Sequence, residues 1–178
     1  TRARPVCGDS GLMNELTRHI HGALREPRDA ARVREDVVDM RKLMLKEQGS
    51  GGVWDVKRAR GGLVELEFIA QTLQLIHAHA HPHVLDTNTL AALQKLHAAG
   101  LVSDGDHAAL KRAGLLYHRL TQMLRLCLDG PYDPATALPA LNLLVANTAV
   151  TPDIATAEAL LAEAQGEVAA IFEPSSWI

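Results

Sequence analysis

Asp55-Val56-Lys57-Arg58-Ala59-Arg60-Gly61-Gly62-Leu63-Val64-Glu65-Leu66-Glu67-Phe68-Ile69-Ala70-Gln71 is the stretch whose reading decides the fold. Three cations, Lys57, Arg58 and Arg60, precede the doublet Gly61-Gly62. From Leu63 to Ala80 there is neither proline nor glycine, and Leu66, Ile69, Ala70, Leu73 and Ile76 recur at helical spacing. Leu63, Val64, Phe68 and Leu75 fall elsewhere on the wheel, so this helix is apolar over most of its circumference. A helix of that kind is buried among other helices. Glu67, Gln71 and Gln74 stand at i, i+4 and i+7 and give it one polar stripe, which needs partners where it is buried.

Outward from this stretch the chain reads as helix after helix. Residues 1–8 form a connector. Asp9 or Ser10 caps a first helix to about Arg25, with Leu12, Leu16, Ile20 and Leu24 on one face, and Pro27 breaks it. Asp29 starts a second helix over 29–48 with Val33, Val37, Met40 and Met44 as its apolar edge. Its other faces carry Arg32, Arg34, Glu35, Asp36, Asp39, Arg41, Lys42 and Lys46, a charge run expected to be a solvated face with i,i+4 pairs. Gly49-Ser50-Gly51-Gly52 is a loop, and Val53 to Val56 a short extended piece. The central helix spans 62–80 and stops near Pro82. Asp86 or Thr87 caps a helix over 88–99 closed by Gly100. Ser103 and Asp106 resemble a capping box for a long helix over 104–129, with Leu116, Leu120, Met123, Leu124 and Cys127 inward. A short helix follows from Leu138 to Ala149, and Thr151-Pro152 opens a last one to about Phe172. No repeat and no strand ladder is legible. The expected fold is all-α, a bundle of about six to eight helices over 9–174, followed by a tail at 175–178.

Composition agrees with close helix packing. Of 178 residues 47% are hydrophobic, and only six are aromatic, two each of Phe, Tyr and Trp. The net charge of −3 conceals an asymmetry. Residues 1–60 hold thirteen Lys/Arg against nine Asp/Glu, and residues 61–178 hold five against twelve. So mild a basic excess excludes a nucleic-acid reading, which needs a concentrated basic stripe. No apolar run reaches membrane-spanning length and no signal peptide opens the chain. Cys7 and Cys127 stand alone, as in a reducing compartment, and the expected localisation is cytoplasmic. The opening Thr1-Arg2-Ala3-Arg4-Pro5 has no methionine and reads as part of a longer protein.

Three groups of residues are candidates for chemistry. Gly61-Gly62 at a helix start, with Lys57 and Arg60 just upstream, suits a phosphate or a carboxylate, because free helix amides and a partial positive charge point there. The same glycines also serve if they only turn the chain sharply into a buried helix. Glu65-Leu66-Glu67 imitates the carboxylate pair of a nucleotidyltransferase. That pair works on a strand, where i and i+2 share a face. On a helix the two lie about 200° apart, so Glu65 and Glu67, with Gln71, are polar anchors and not metal ligands. His77, His79, His81 and His83 lack a Cys, Asp or Glu partner at ligand spacing, and a solvated, frayed helix end is the ordinary explanation for them, in preference to a metal. No nucleophile motif is present, so no catalytic and no metal-binding residue is assigned.

The central stretch also resembles a known family. Asp55-Val56-Lys57, then Gly61-Gly62-Leu63-Val64-Glu65-Leu66-Glu67-Phe68 and Gln71, is similar to the C-terminal helical domain of bacterial glutamine synthetase adenylyltransferase. That family places Asp-[Ile/Leu]-Lys before Gly-Gly-[Leu/Ile]-x-Asp-[Ile/Leu]-Glu-Phe-x-x-Gln, and Glu65 stands where it usually has Asp. Thr1 to Val6 with Gly8-Asp9, Leu85 to Thr89, Ala99 to Leu101 and Met123 to Leu126 resemble further family stretches in the same order. The resemblance implies a helical domain that follows a nucleotidyltransferase domain lying upstream of Thr1. It implies a parent enzyme that adenylylates a tyrosine of glutamine synthetase and, when bifunctional, removes the adenylyl group. ATP and Mg²⁺ would serve the upstream domain, and this segment alone would be inactive. The implied partners are glutamine synthetase, the PII signalling protein and the upstream domain. Two other readings stand beside it: a stand-alone module that binds PII or glutamine synthetase, and a His-rich metal-binding helical protein.

Overall fold

The computed structural model describes residues 1–49 and 51–173. Ser50 and the tail expected at 175–178 lie outside the described residues. Seven α-helices, and no strand among the described residues, make the fold all-α: α1 (Ser10–Leu24), α2 (Ala30–Gln48), α3 (Leu63–His77), α4 (Thr89–Ala98), α5 (Asp104–Cys127), α6 (Pro139–Ala149) and α7 (Ile154–Phe172). A single 3₁₀ turn, Pro82–Val84, precedes α4. The chain forms two compact units, Thr1–Met40 with Glu67–His107, and Arg41–Leu66 with Ala108–Ile178.

In the first unit Asp9 caps α1 by accepting from the Leu12 amide at 3.0 Å. The apolar face expected of α1 is not a core face, since α1 buries no residue. Leu12 and Leu16 are 65% and 45% exposed, whereas Ile20 and Leu24 are half-buried. Ile69, Ala70 and Leu73 of α3 are buried, as are Val84 and Ala92, Leu93 and Leu96 of α4. Helix α3 ends three residues earlier than expected. The residue before a proline is driven out of the helical region, and His81 lies at φ −126°, ψ 69° ahead of Pro82. The cap of α4 is Asn88, accepting from the Ala91 amide at 3.0 Å, in place of Asp86 or Thr87. Asp86 instead accepts from the Asn88 amide and pairs with Lys95 at 2.9 Å. Ser103 does open α5, accepting from the Asp106 amide at 3.1 Å.

In the second unit the buried stripe of α5 is Ala109, Leu110, Ala113, Gly114, Tyr117 and Leu120. It is rotated from the expected one, and Cys127 is exposed. Helix α6 packs against α7, whose Ala157, Leu161, Ala164, Val168 and Phe172 are buried. The cap of α7 is Asp153, accepting from the Thr156 amide at 2.7 Å. Thr151, expected there, donates its hydroxyl back to the Ala146 carbonyl at 3.1 Å. Helix α6 ends on Val150, a β-branched residue at φ 62°, ψ 45°, where a C-terminal glycine is the usual occupant. Residues 53–61 form consecutive turns and not the extended piece the sequence suggests. Asp55 organises them. Its carbonyl accepts from the Arg58 and Ala59 amides, and its carboxylate takes the Arg58 amide at 3.1 Å and Arg58 Nε at 2.7 Å.

Candidate functional site

The turn into α3 is built around one carboxylate. Glu65 is fully buried on the first turn of α3, within the second unit. Its Oε1 accepts from Arg41 Nε at 2.8 Å and from Arg60 Nη1 at 3.3 Å. Its Oε2 accepts from the Gly61 amide at 2.9 Å. Arg41, only 2% exposed, donates through Nη2 to the carbonyls of Arg58 (2.8 Å) and Ala59 (3.2 Å). One guanidinium thus holds both the carboxylate and the backbone of the turn. A buried charge needs this completeness, because an unpaired one in a low-dielectric interior is strongly destabilising.

Both glycines are required by geometry. Gly61 lies at φ 71°, and a Cβ there would sit 1.7 Å from the Gln165 carbonyl oxygen of α7. A Cβ at Gly62 would sit 2.6 Å from the Val56 carbonyl oxygen. The amides that the sequence reading leaves for an external anion are engaged within the chain. That of Gly61 donates to Glu65, those of Gly62 and Leu63 to the Ala59 and Val56 carbonyls, and that of Val64 to the Lys57 carbonyl. The Gly61 carbonyl accepts from the Tyr117 hydroxyl at 2.8 Å, and Gln165 donates to the Val53 carbonyl at 2.9 Å. Burial first, then the Glu167 and Glu65 carboxylates, push the Tyr117 phenol far above its ordinary value, so it remains a donor. Arg60 reaches outward to Glu173 and lies 5.6 Å from the centre of the Phe172 ring. Lys57 is exposed.

The other residues expected to anchor the helix, Glu67 and Gln71, sit in the first unit. Glu67 Oε1 accepts from Arg2 Nη2 at 3.0 Å, and the same nitrogen donates to Thr89 Oγ1 at 3.1 Å. Gln71 is half-buried. Gln74, 2% exposed, donates to the Ala70 carbonyl and accepts from the Asp86 amide at 2.8 Å. Glu65 and Glu67 are therefore each committed to arginine, on a helix that turns them about 200° apart, and do not form a seat for Mg²⁺. The histidines do not converge either. Helix α3 stops at His77, His79 Nδ1 lies 3.1 Å from the Arg25 carbonyl oxygen, and the His81 and His83 rings meet edge to face. Among the described residues no group of three His, Cys, Asp or Glu is arranged to hold a metal ion.

The residue that sequence reasoning missed is Arg41, expected in a solvated charge run. The signal was present. Arg41 follows Val37 by four residues and precedes Met44 by three, so it stands on the apolar edge of α2.

The chain belongs to the family described as GlnD PII-uridylyltransferase, whose profile matches residues 30–133. It is 40% identical over 172 residues to the bifunctional glutamine synthetase adenylyltransferase/adenylyl-removing enzyme of Rhodopseudomonas palustris strain TIE-1. That match covers 97% of this chain and 17% of the relative. It is 41% identical over 173 residues to the protein of the same name from Xanthobacter autotrophicus, and 38% identical over 172 residues to that of Bradyrhizobium sp. strain BTAi1. The likeness thus covers nearly the whole chain, which matches one region of a much longer enzyme.

Proposed function

We propose that this chain is the helical accessory domain of an enzyme that transfers an adenylyl group from ATP to a tyrosine of glutamine synthetase. What supports the reading is identity of about 40% to such enzymes along 97% of the chain. Catalytic carboxylates, ATP and Mg²⁺ belong in this reading to a nucleotidyltransferase domain elsewhere in the parent. The chain alone has no adenylyltransferase activity, because Glu65 and Glu67 are each held by arginine. Arg60, Gly61 and Gly62 form an internal joint whose anion is Glu65 and which fixes where α3 begins. The exposed parts of Lys57 and Arg60 are what a neighbouring catalytic domain can reach. Glutamine synthetase and the PII protein are the partners of the whole enzyme, and the cytoplasm is its place. Consistent with that, no described helix is long and apolar enough to cross a membrane.

The test is a chimera. The chain replaces the matched segment of the Rhodopseudomonas palustris relative, and label transfer from ATP to glutamine synthetase is measured. The chimera is expected to transfer label and the isolated chain to transfer none. A folded chimera without activity, or an isolated chain as active as the intact relative, overturns the reading.

A further inference from the structure

Beside the joint, within the second unit, lies a cavity of about 550 Å³, of whose lining the reading above uses only Lys57. Its lining includes Lys57, Arg58, Arg125 and Thr121, with Trp54 and Tyr132 as an aromatic wall. We propose that this cavity binds a phosphate dianion, either free or carried by a small organic phosphate.

Charge carries the argument first. Lys57 and Arg125 are exposed, and neither forms an ion pair among the described residues. Arg58 commits only its Nε, to Asp55 at 2.7 Å, which leaves its terminal amino groups for another acceptor. Among the lining residues three cations stand against the one carboxylate of Asp55, and even with Glu158 behind Trp54 the cavity keeps a positive excess that suits a phosphate. Guanidinium groups suit phosphate oxygens because their fork donates two parallel hydrogen bonds.

The second observation is independent. Thr121 Oγ1, on α5, is buried and has no hydrogen-bond partner. A helical threonine usually returns its hydroxyl to a carbonyl one turn back. A rotation of the Thr121 side chain toward the cavity it lines would bring this shielded hydroxyl to a ligand oxygen, and buried polar groups are satisfied as a rule. Trp54 and Tyr132 meet edge to face at 4.9 Å and are pinned by Glu158 and Asn142 respectively. This fixed wall gives the carbon portion of an organic phosphate a surface to lie on. A few placed polar groups in a concave apolar setting is the usual make-up of a small-molecule site.

The experiment is calorimetric titration of the 178-residue chain with inorganic phosphate and with ribose 5-phosphate, repeated on three variants. The unmodified chain is expected to bind with one-to-one stoichiometry. Lys57→Gln and Arg125→Gln are each expected to weaken binding at least about tenfold, as loss of a charged hydrogen bond does. Thr121→Val should weaken it too, without lowering the ligand-free melting temperature. Equal affinity for both probes identifies free phosphate as the ligand, and tighter binding of ribose 5-phosphate an organic phosphate. Circular dichroism checks that the exposed substitutions leave helical content unchanged. Absence of binding at millimolar concentrations, or affinity that neither charge variant alters, overturns the proposal.

Discussion

Arg41 concentrates at one residue the argument for how this domain holds together. Its guanidinium satisfies a buried carboxylate and two backbone carbonyls in a single side chain. Arg41→Ala removes a cation and leaves Glu65 buried with less compensation, so urea denaturation should show a loss of about 3–5 kcal/mol. A loss below about 1 kcal/mol, the range of an exposed pair, would place Glu65 in contact with water and refute the joint. At this scale the sequence was half legible. Gly61-Gly62 and Glu65 stood out because glycine doublets and a carboxylate in an apolar run are rare enough to notice. Arg41 did not, because its pairing with Glu65 spans twenty-four residues, and a charge run hides an inward member. The Thr121 hydroxyl was equally hidden, since no sequence pattern says which helical threonine lacks a partner.

Element ends show the same contrast between what is local and what is not. Helix spans were legible because apolar periodicity and prolines are local signals. Caps were less so: Asn88 and Asp153 took the places expected of Asp86 or Thr87 and of Thr151, each one or two residues further along. Competing Asn, Asp and Thr side chains all suit a cap, and only the chain's arrival angle chooses among them. Two left-handed residues make the point testable. At Gly61 the positive φ is built in, and Gly61→Ala should cost more than about 2 kcal/mol, adding left-handed strain to a collision with a fixed carbonyl. Val150 carries the same conformation at an exposed helix end, with no glycine to ease it. Val150→Gly should therefore stabilise the chain by roughly 0.5–1 kcal/mol, the strain relieved less the extra freedom of the unfolded chain. Thermal melts of both variants read the two signs, and a destabilised Val150→Gly would show that the valine side chain contributes more than its backbone costs.

On the scale of the whole chain, the two tyrosines report on folding. Tyr117 and Tyr132 are the only ones. Burial, and then Glu167 and Glu65, raise the Tyr117 phenol. Burial, and then Glu158 and Asp133, raise that of Tyr132. The folded chain therefore keeps both protons at a pH where the unfolded chain, with its ordinary value of 10.0, releases them. Their contribution to stability is fully present below that value and is lost as pH rises from it through the folded values. Absorbance at the phenolate band should thus stay flat through the ordinary tyrosine range and rise together with loss of helical signal. A smooth titration near the ordinary value with helices intact would contradict the burial of Tyr117. The all-α class was legible at this scale, because composition and periodicity sum over the chain. The division into two units was not, because it depends on which distant segments meet.

The collar around Gly61 also bears on the order of events during synthesis. Its backbone is roofed by the Gln165 carbonyl and tied to Tyr117, and Gln165 reaches back to Val53 over 112 residues. Nothing emerging from a ribosome can complete that collar until the last helix is out. We therefore infer that residues 53–61 mature late, after the helices on either side have formed, because closure over so long a loop is slow. A nascent chain stopped before Ile154 should leave the amides of Gly61 to Val64 open to hydrogen exchange, and one extended past Glu173 should protect them. Equal protection in both would mean that the turn is self-sufficient and that α7 only covers it.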